Sequence, residues 1–593
     1  MPVREPSRPA APPLSVGGAR IVVRPGGHGA GLRPAAAVPV PDDAFTVTAE
    51  REGLWRLDAA VAVPQPPDRA ARFQEQDTLD PDLALDAAVM FPGGAPHGPF
   101  LCLYQHKEWW MRPAWRDALA DVPERTQMIL WRDDDAWTAL VAVCGDDARA
   151  DLHGDALAVG TVRAVDDARD ADAAAAVPAS GLRIALSSNR VGRTALADVA
   201  AYLAVAADPY DAIRACVDAA AKRLGIATAD RRPLPEALSG FGWCTWDSLG
   251  RDVGEAAIVG KMEEFRAKHI PVSWVMIDDG WSRTDREAET LIGLDADPER
   301  FPHGLAHTAD LLRERYGVRH VGVWAAFQGY WNGLEPGGPA VAQIGTGQLT
   351  TTANGCLIPG PGRRQALMFW MTWLSLLRGM GVDCVKIDSQ SSTSTMTRGA
   401  ESYGEATVER HAALDRVAES EMGGALINCM GMAPEDYWHR PLSAVTRTSD
   451  DFLPHDPSSL AEHLTQNAYC ALLMGELYRC DWDMFWSEHP HARTHALMRA
   501  LSGGPVYCSD AAGRSDPSVL EPLTLPDGRV PHPDHAAVPV ADALLADPTS
   551  ADRAWCVATR SGGWHLLAFV GLNPDRAQDI RLRDALRGLP GTT

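Results

Sequence analysis

The stretch Val382-Asp383-Cys384-Val385-Lys386-Ile387-Asp388 decides how this chain is read. Val382, Cys384 and Ile387 favour an extended, half-buried backbone, and the helix-like run ahead of them stops at Gly379-Met380-Gly381. On a strand, side chains two apart leave the same face, so Lys386 and Asp388 emerge together at its C-terminal tip. A cation beside a carboxylate keeps that carboxylate ionised, which a nucleophile or a general base requires. A core strand ending in a surface salt bridge would have the same local pattern. The surroundings must separate the two readings.

Working outward, the 593 residues are 46% hydrophobic, enough to bury a large core spread over roughly two to four domains. The 55 basic residues against 78 acidic ones give −23, which argues against nucleic acid or an anionic membrane as partner and favours a neutral or cationic ligand. Nineteen Trp against ten Tyr and twelve Phe is an unusual ratio; indole faces stack on the apolar faces of sugars, with core packing as the competing use. The eleven Cys include no C-x-x-C pair, which argues against a disulfide framework and a structural zinc site. No run approaches the roughly 18 apolar residues of a membrane span. Residues 1–40, rich in Pro, Ala, Gly and Arg and without an apolar signal core, read as a flexible leader. A reducing cytoplasm is the expected compartment.

Residues 41–230 alternate in short segments such as Phe45-Thr46-Val47-Thr48, Thr126 to Trp131 and Thr138 to Val143, with Asp/Gly/Pro-rich turns between them. That pattern predicts an N-terminal antiparallel β-sandwich, with Asp166 to Ala176 as a loop. Asp208-Pro209 predicts an N-cap and first-turn proline opening a helix through Leu224, and Arg231 to Pro235 reads as a linker. From 236 to 545 the texture changes. Eight short apolar segments, at 240–245, 272–278, 320–326, 382–388, 425–430, 444–449, 482–486 and 505–509, alternate with helical stretches such as Ala256 to Lys268 and Arg364 to Arg378. Eight such alternations predict a (β/α)8 TIM barrel with insertions; a doubly wound sheet is disfavoured because no glycine-rich phosphate loop follows any strand. Residues 546–593 read as a short C-terminal β segment, with a hairpin of Trp555 to Thr559 and Trp564 to Val570. The fold class is therefore multidomain, α/β plus β.

Barrel enzymes carry their chemistry at the C-terminal strand tips. Here five of the eight tips are acidic, at Asp247, Asp278-Asp279, Asp388, Asp450-Asp451 and Asp481/Asp483, and Trp246, Trp324 and Trp331 stand between them. Stability alone does not call for that repetition; a carbohydrate site does. Glycoside cleavage needs two carboxyl groups flanking the scissile bond, one of which protonates the leaving oxygen. Asp388 is the candidate nucleophile and Asp451 the candidate acid/base. Asp450 would raise the pKa of Asp451 and Arg447 would lower it. Asp278 and Asp279 are candidate acceptors for sugar hydroxyls, and Trp246 and Trp324 candidate stacking faces. For Asp481 and Asp483, helix or turn capping competes with ligand contact.

Gly242-Trp243-Cys244-Thr245-Trp246-Asp247, Asp278-Asp279-Gly280-Trp281, Lys386-Ile387-Asp388, Arg447-Thr448-Ser449-Asp450-Asp451 and Asp481-Trp482-Asp483-Met484-Phe485 together resemble the raffinose synthase/seed imbibition protein branch of glycoside hydrolase family 36. His495-Ala496, Arg499 to Pro505 and the upstream Lys107-Glu108-Trp109-Trp110-Met111 continue the match in order. The resemblance implies a retaining α-galactoside enzyme in which Asp388 is the nucleophile and Asp451 the acid/base. It also implies that Asp278, Asp279 and Lys386 hold galactose hydroxyls and that Arg447 lies near the sugar; for Trp109 and Trp110, reaching the site from the sandwich competes equally with a core role. Asp450 and Asp483 join the expected substrate-binding set. The third-strand segment Trp324 to Trp331 and the insertion from Gly333 to Pro361 depart from the family pattern, which leaves the acceptor open.

An α-galactosidase-type hydrolase, with or without transglycosylation, is the leading expectation on this reading; a raffinose synthase moving galactose from galactinol to sucrose is the alternative, and a silent sugar-binding relative is disfavoured by the presence of both carboxylates. The expected ligand is an α-galactoside oligosaccharide of raffinose or galactinol type, with no cofactor and no metal. His489-Pro490-His491 with His495 offers ligands only superficially, since no acidic shell accompanies them.

Overall fold

In the computed structural model, residues 12–24, 42–62, 82–154, 181–190, 192–193 and 195–590 are described. The N-terminal region forms one continuous antiparallel sheet of eleven strands. Its long strand Ala195–Ala206 makes it continuous: it pairs with Leu54–Ala62 on one side and, through Ala201–Ala206, with Ala136–Ala142 on the other. A bulge between Val199 and Ala201 lets it serve both. Inward residues from both ends of the sheet, Leu57, Val61, Leu85, Ile129, Leu140, Leu152 and Ile184 among them, gather in one apolar cluster. The two separate layers expected of a sandwich are thus one sheet folded over its own core.

The expectation of a leader over residues 1–40 needs correction. Ser15–Arg24 is an edge strand, antiparallel to Asp82–Met90. Pro and Gly on both sides mask a run, Ala19 to Val23, that suits a strand. The loop expected at Asp166 to Ala176 lies outside the described residues.

Helix Pro209–Leu224 forms where local signals put it. Asp208 Oδ1 accepts from the amides of Tyr210 (2.9 Å) and Asp211 (3.2 Å), and Gly225 closes the helix at φ 71°. Its buried face joins the sheet and helix Leu460–Leu477 in a second apolar cluster.

The region after residue 236 is built on eight parallel strands: Phe241–Cys244, Trp274–Ile277, His320–Ala326, Cys384–Asp388, Leu426–Asn428, Val445–Arg447, Arg479–Asp481 and Val506–Cys508. The first seven pair in parallel in chain order, and the eighth pairs with the first. A parallel bridge between Cys480 and Gly503 brings the seventh strand to the segment leading into the eighth, so the sheet is barrel-like. The seventh strand lies ahead of the predicted 482–486. Asp483 adopts φ 65°, which ends extended pairing, and the alternating Trp482 and Met484 are buried in irregular chain.

The insertion from Gly333 to Pro361 holds a short helix, Pro339–Ile344, and a two-stranded ladder of Leu349–Thr351 with Leu357–Pro359. At the C-terminus, Trp555–Ser561 and Trp564–Val570 form the expected hairpin, joined by Val538–Pro539. Among the described residues, no helix is long and apolar enough to cross a membrane. All eleven cysteines are free thiols.

Candidate active site

The tips of the parallel strands converge on one pocket, lined by Trp246, Asp247, Asp278, Asp279, Trp324, Trp331, Lys386, Asp388, Met430, Asp451, Phe452, Asp483 and Met484. Asp388 closes the fourth strand and is buried. Trp324 Nε1, from the adjacent third strand, donates to its Oδ2 at 2.9 Å, and the Ser389 amide donates to Oδ1 at 2.7 Å. Ser389 takes φ 59°, a conformation rarely adopted by non-glycine residues, and that turn aims its N–H at the carboxylate. Burial raises the pKa of Asp388, while the Lys386 charge and the Trp324 hydrogen bond oppose the rise.

Lys386 Nζ lies 2.9 Å from Asp278 Oδ2, both groups buried. Burial alone would pull the ammonium pKa down, but Asp278 and its neighbours outweigh it and hold Lys386 protonated. Asp278 is fixed in turn: its amide donates to Thr245 Oγ1 at 2.9 Å, and its Oδ1 accepts from the Asp279 amide at 2.8 Å. Asp279 accepts from Arg251 Nε (3.0 Å), Tyr330 OH (2.9 Å) and Trp331 Nε1 (3.3 Å). Two carboxylates and an ammonium thus hold a rigid polar wall beside Asp388.

On the opposite side, Arg447 joins the sixth and seventh strand tips. Its Nη1 donates to Asp483 Oδ1 at 2.7 Å, its Nη2 pairs with Asp451, and its Nε donates to the Ser449 carbonyl at 3.1 Å. Asp483 Oδ2 accepts from the Phe452 amide at 2.7 Å, pinning the residue that follows Asp451. The Asp451 side chain is 60% exposed while that of Arg447 is 1% exposed, so one carboxylate stands at the mouth of the pocket and the other, Asp388, at its floor. The Trp110 ring from the N-terminal sheet lies beneath the Arg447 guanidinium, 4.9 Å from centroid to carbon.

Of the residues expected from sequence, Trp246, Asp278, Asp279, Trp324, Lys386, Asp388, Asp451 and Asp483 line this pocket, and Arg447 sits behind Asp451 and Asp483. Asp450 faces away from the pocket. It accepts from His106 Nε2 (3.0 Å) and Lys107 Nζ (3.2 Å) of the N-terminal sheet, and its amide donates to Gln466 Oε1 at 2.9 Å. Asp451, the next residue, lines the pocket instead. Burial would push the Asp450 pKa up, but His106 and Lys107 pull it below the ordinary value. Asp247 is the residue the sequence reading left unassigned. It lines the pocket and accepts from Ser509 Oγ at 2.6 Å, and burial pushes its carboxyl up to about 8. Its position one residue after Trp246 at a strand tip was the available signal. Arg251 and Tyr330, which hold Asp279, carried none.

The histidines after the seventh strand are held as acceptors. Arg499 Nη1 donates to His495 Nδ1 at 2.8 Å and the His491 amide to His489 Nδ1 at 3.1 Å. Both rings therefore carry their proton on Nε2 and offer no lone pair there.

The fold defines a class first. Its architecture is shared with the α-galactosidase of Thermus thermophilus in complex with p-nitrophenyl α-D-galactopyranoside, at a TM-score of 0.50 and 17% identity over 81% of this chain and 93% of that one. It is shared also with a glycoside hydrolase family 36 α-galactosidase of Geobacillus stearothermophilus in complex with raffinose, at a TM-score of 0.52 and 11% identity over 96% and 82%. The family follows: the model described as raffinose synthase or seed imbibition protein Sip1 matches residues 89–301 and 293–556, and the chain belongs to that family. Among relatives, the probable galactinol–sucrose galactosyltransferase 6 of Arabidopsis thaliana is 31% identical over 383 residues, 58% of this chain and 51% of that protein. The probable galactinol–sucrose galactosyltransferase 1 of the same plant is 26% identical over 533 residues, 80% of this chain and 67% of that one. The chain thus spans about half the length of the first of these relatives.

Proposed function

We propose that this protein is a retaining α-galactosyl-transferring enzyme that takes galactose from an α-galactoside and delivers it to a sugar hydroxyl. The observation that carries the reading is the pairing of a buried, doubly hydrogen-bonded Asp388 with an exposed Asp451 across one pocket walled by Lys386, Asp278 and Asp279. The parallel sheet is read here as a closed (β/α)8 barrel, a reading supported by its cyclic strand order and the Cys480–Gly503 bridge.

Asp388 attacks the anomeric carbon while Asp451 gives its proton to the departing oxygen, so the C1–O bond breaks and a galactosyl ester forms. Asp451, now ionised, takes the proton of an incoming hydroxyl, which displaces Asp388; two inversions give net retention. Asp278, Asp279 and Lys386 bind the sugar hydroxyls, and Trp246 and Trp324 flank the ring. Arg447 sets the Asp451 carboxylate toward the mouth, where leaving group and acceptor exchange.

Sequence alone put hydrolysis ahead of transfer. The relatives named as galactinol–sucrose galactosyltransferases and stachyose synthase favour transfer. Incubation with galactinol, with and without sucrose, separates the two. The account expects a non-reducing trisaccharide to dominate once sucrose is present; free galactose as the main product at every sucrose concentration would assign the protein to hydrolysis.

A further inference from the structure

Outside the pocket, the helices after the first and second parallel strands meet at three side chains with metal-ligating chemistry. Glu255 opens helix Glu255–Ala267, and His303 and His307 stand at the cap and first turn of helix Gly304–Tyr316. The histidines are four residues apart, which brings two side chains onto one face at a helix start. Both turn Nδ1 toward the same carboxylate. His303 Nδ1 lies 2.9 Å from Glu255 Oε1, and His307 Nδ1 lies 2.9 Å from Oε2. The ring centroids are 4.7 Å apart, and one ligand atom from each residue falls within 4.8 Å of the others. Thr308 Oγ1 donates to Oε2 at 2.7 Å and fixes the carboxylate, as outer-shell partners of metal ligands do.

We propose that Glu255, His303 and His307 form a surface site for a divalent transition-metal ion of the zinc class. Two imidazoles and one carboxylate suit zinc, whereas calcium and magnesium prefer oxygen alone. The carboxylate is buried but the His303 and His307 side chains are 62% and 49% exposed, so the ion enters from solvent and water completes its shell. In a purely hydrogen-bonded trio, each Nδ1 keeps its proton against Glu255. In the metal site, each Nδ1 lends its lone pair to the ion, and the carboxylate becomes the third ligand.

The site is wired to the pocket. The Glu255 amide donates to the Arg300 carbonyl at 3.0 Å, Arg300 Nη1 donates to the Arg251 carbonyl at 2.7 Å, and Arg251 Nε reaches Asp279 Oδ2 at 3.0 Å. A bound ion braces the loops that hold Asp279 without touching the reacting sugar. Its role is stabilising.

The test uses the full chain, stripped with EDTA and titrated with zinc chloride against a chromophoric chelator, with thermal unfolding followed in parallel. One ion per chain and a raised unfolding midpoint are expected. The double variant His303→Gln/His307→Gln should lose both the ion and the zinc-induced rise in midpoint, while its turnover without added metal stays at the wild-type value, since neither side chain lines the pocket. Absence of stoichiometric binding by the wild type, or retention of the ion by the double variant, overturns the proposal.

Discussion

Asp388 sits where burial and charge pull in opposite directions. Burial raises its pKa, and the ammonium of Lys386 is the largest force against that rise. A nucleophile must be ionised, so kcat/KM should fall on the acid side at a pH above the ordinary aspartate value of about 4. Lys386→Met removes the opposing charge, leaves burial in place, and should move the acid limb further upward while weakening sugar binding. A pH–rate profile of wild type and variant checks this, and coincident acid limbs would remove Asp388 from the nucleophile's role. Lys386 and Asp388 were legible because strand periodicity puts both on one face, whereas Asp278, Asp279 and Asp451 lie just past the ends of their strands and were marked by the run of acidic strand ends and by resemblance. Asp450 was misread because the direction of a loop side chain depends on His106 and Lys107, more than 340 positions away. Asp247 was passed over for the same reason, since its partner Ser509 comes from the eighth strand's end.

Elements were readable in proportion to how local their signals are. Helix Pro209–Leu224 has its N-cap, first-turn proline and closing glycine within its own sequence, and it forms at the predicted residues. Asp208→Ala leaves the Tyr210 and Asp211 amides without their acceptor and should cost about 1 kcal/mol in chemical denaturation; no change in the midpoint would mean that packing against the sheet alone sets the helix start. The seventh strand slipped because Trp482 and Met484 alternate as strand residues do, while the positive φ of Asp483 serves Arg447 and Phe452 instead of a ladder. The edge strand Ser15–Arg24 was hidden by its composition, and its pairing with Asp82–Met90 is a long-range fact.

On the scale of the whole molecule, the N-terminal sheet is part of the pocket's support. Its segment from His106 to Trp110 holds Asp450 from one side and lies under Arg447 from the other, and the Trp109 carbonyl accepts from the Met432 amide at 3.1 Å. Arg149 adds a buried pair with Glu435 at 2.9 Å. Sequence resemblance marked the Lys107 to Met111 segment, but docking of two domains is not written in any local period. Trp110→Ala deletes a buried aromatic and should cost about 3–5 kcal/mol. It should also lower kcat/KM per folded molecule, because Arg447 loses the surface that orients it toward Asp451. A stability loss with unchanged kcat/KM would confine the sheet to a scaffolding role.

The most direct test of the central claim is the fate of an activated α-galactoside with Asp388→Ala in the presence of azide. The account predicts that the variant alone loses nearly all turnover, because the covalent route is gone. Azide then enters the vacated space, restores turnover and yields the β-galactosyl azide by a single inversion. Retained activity without azide, or an α-configured azide product, would contradict Asp388 as the nucleophile of a retaining galactosyl transfer.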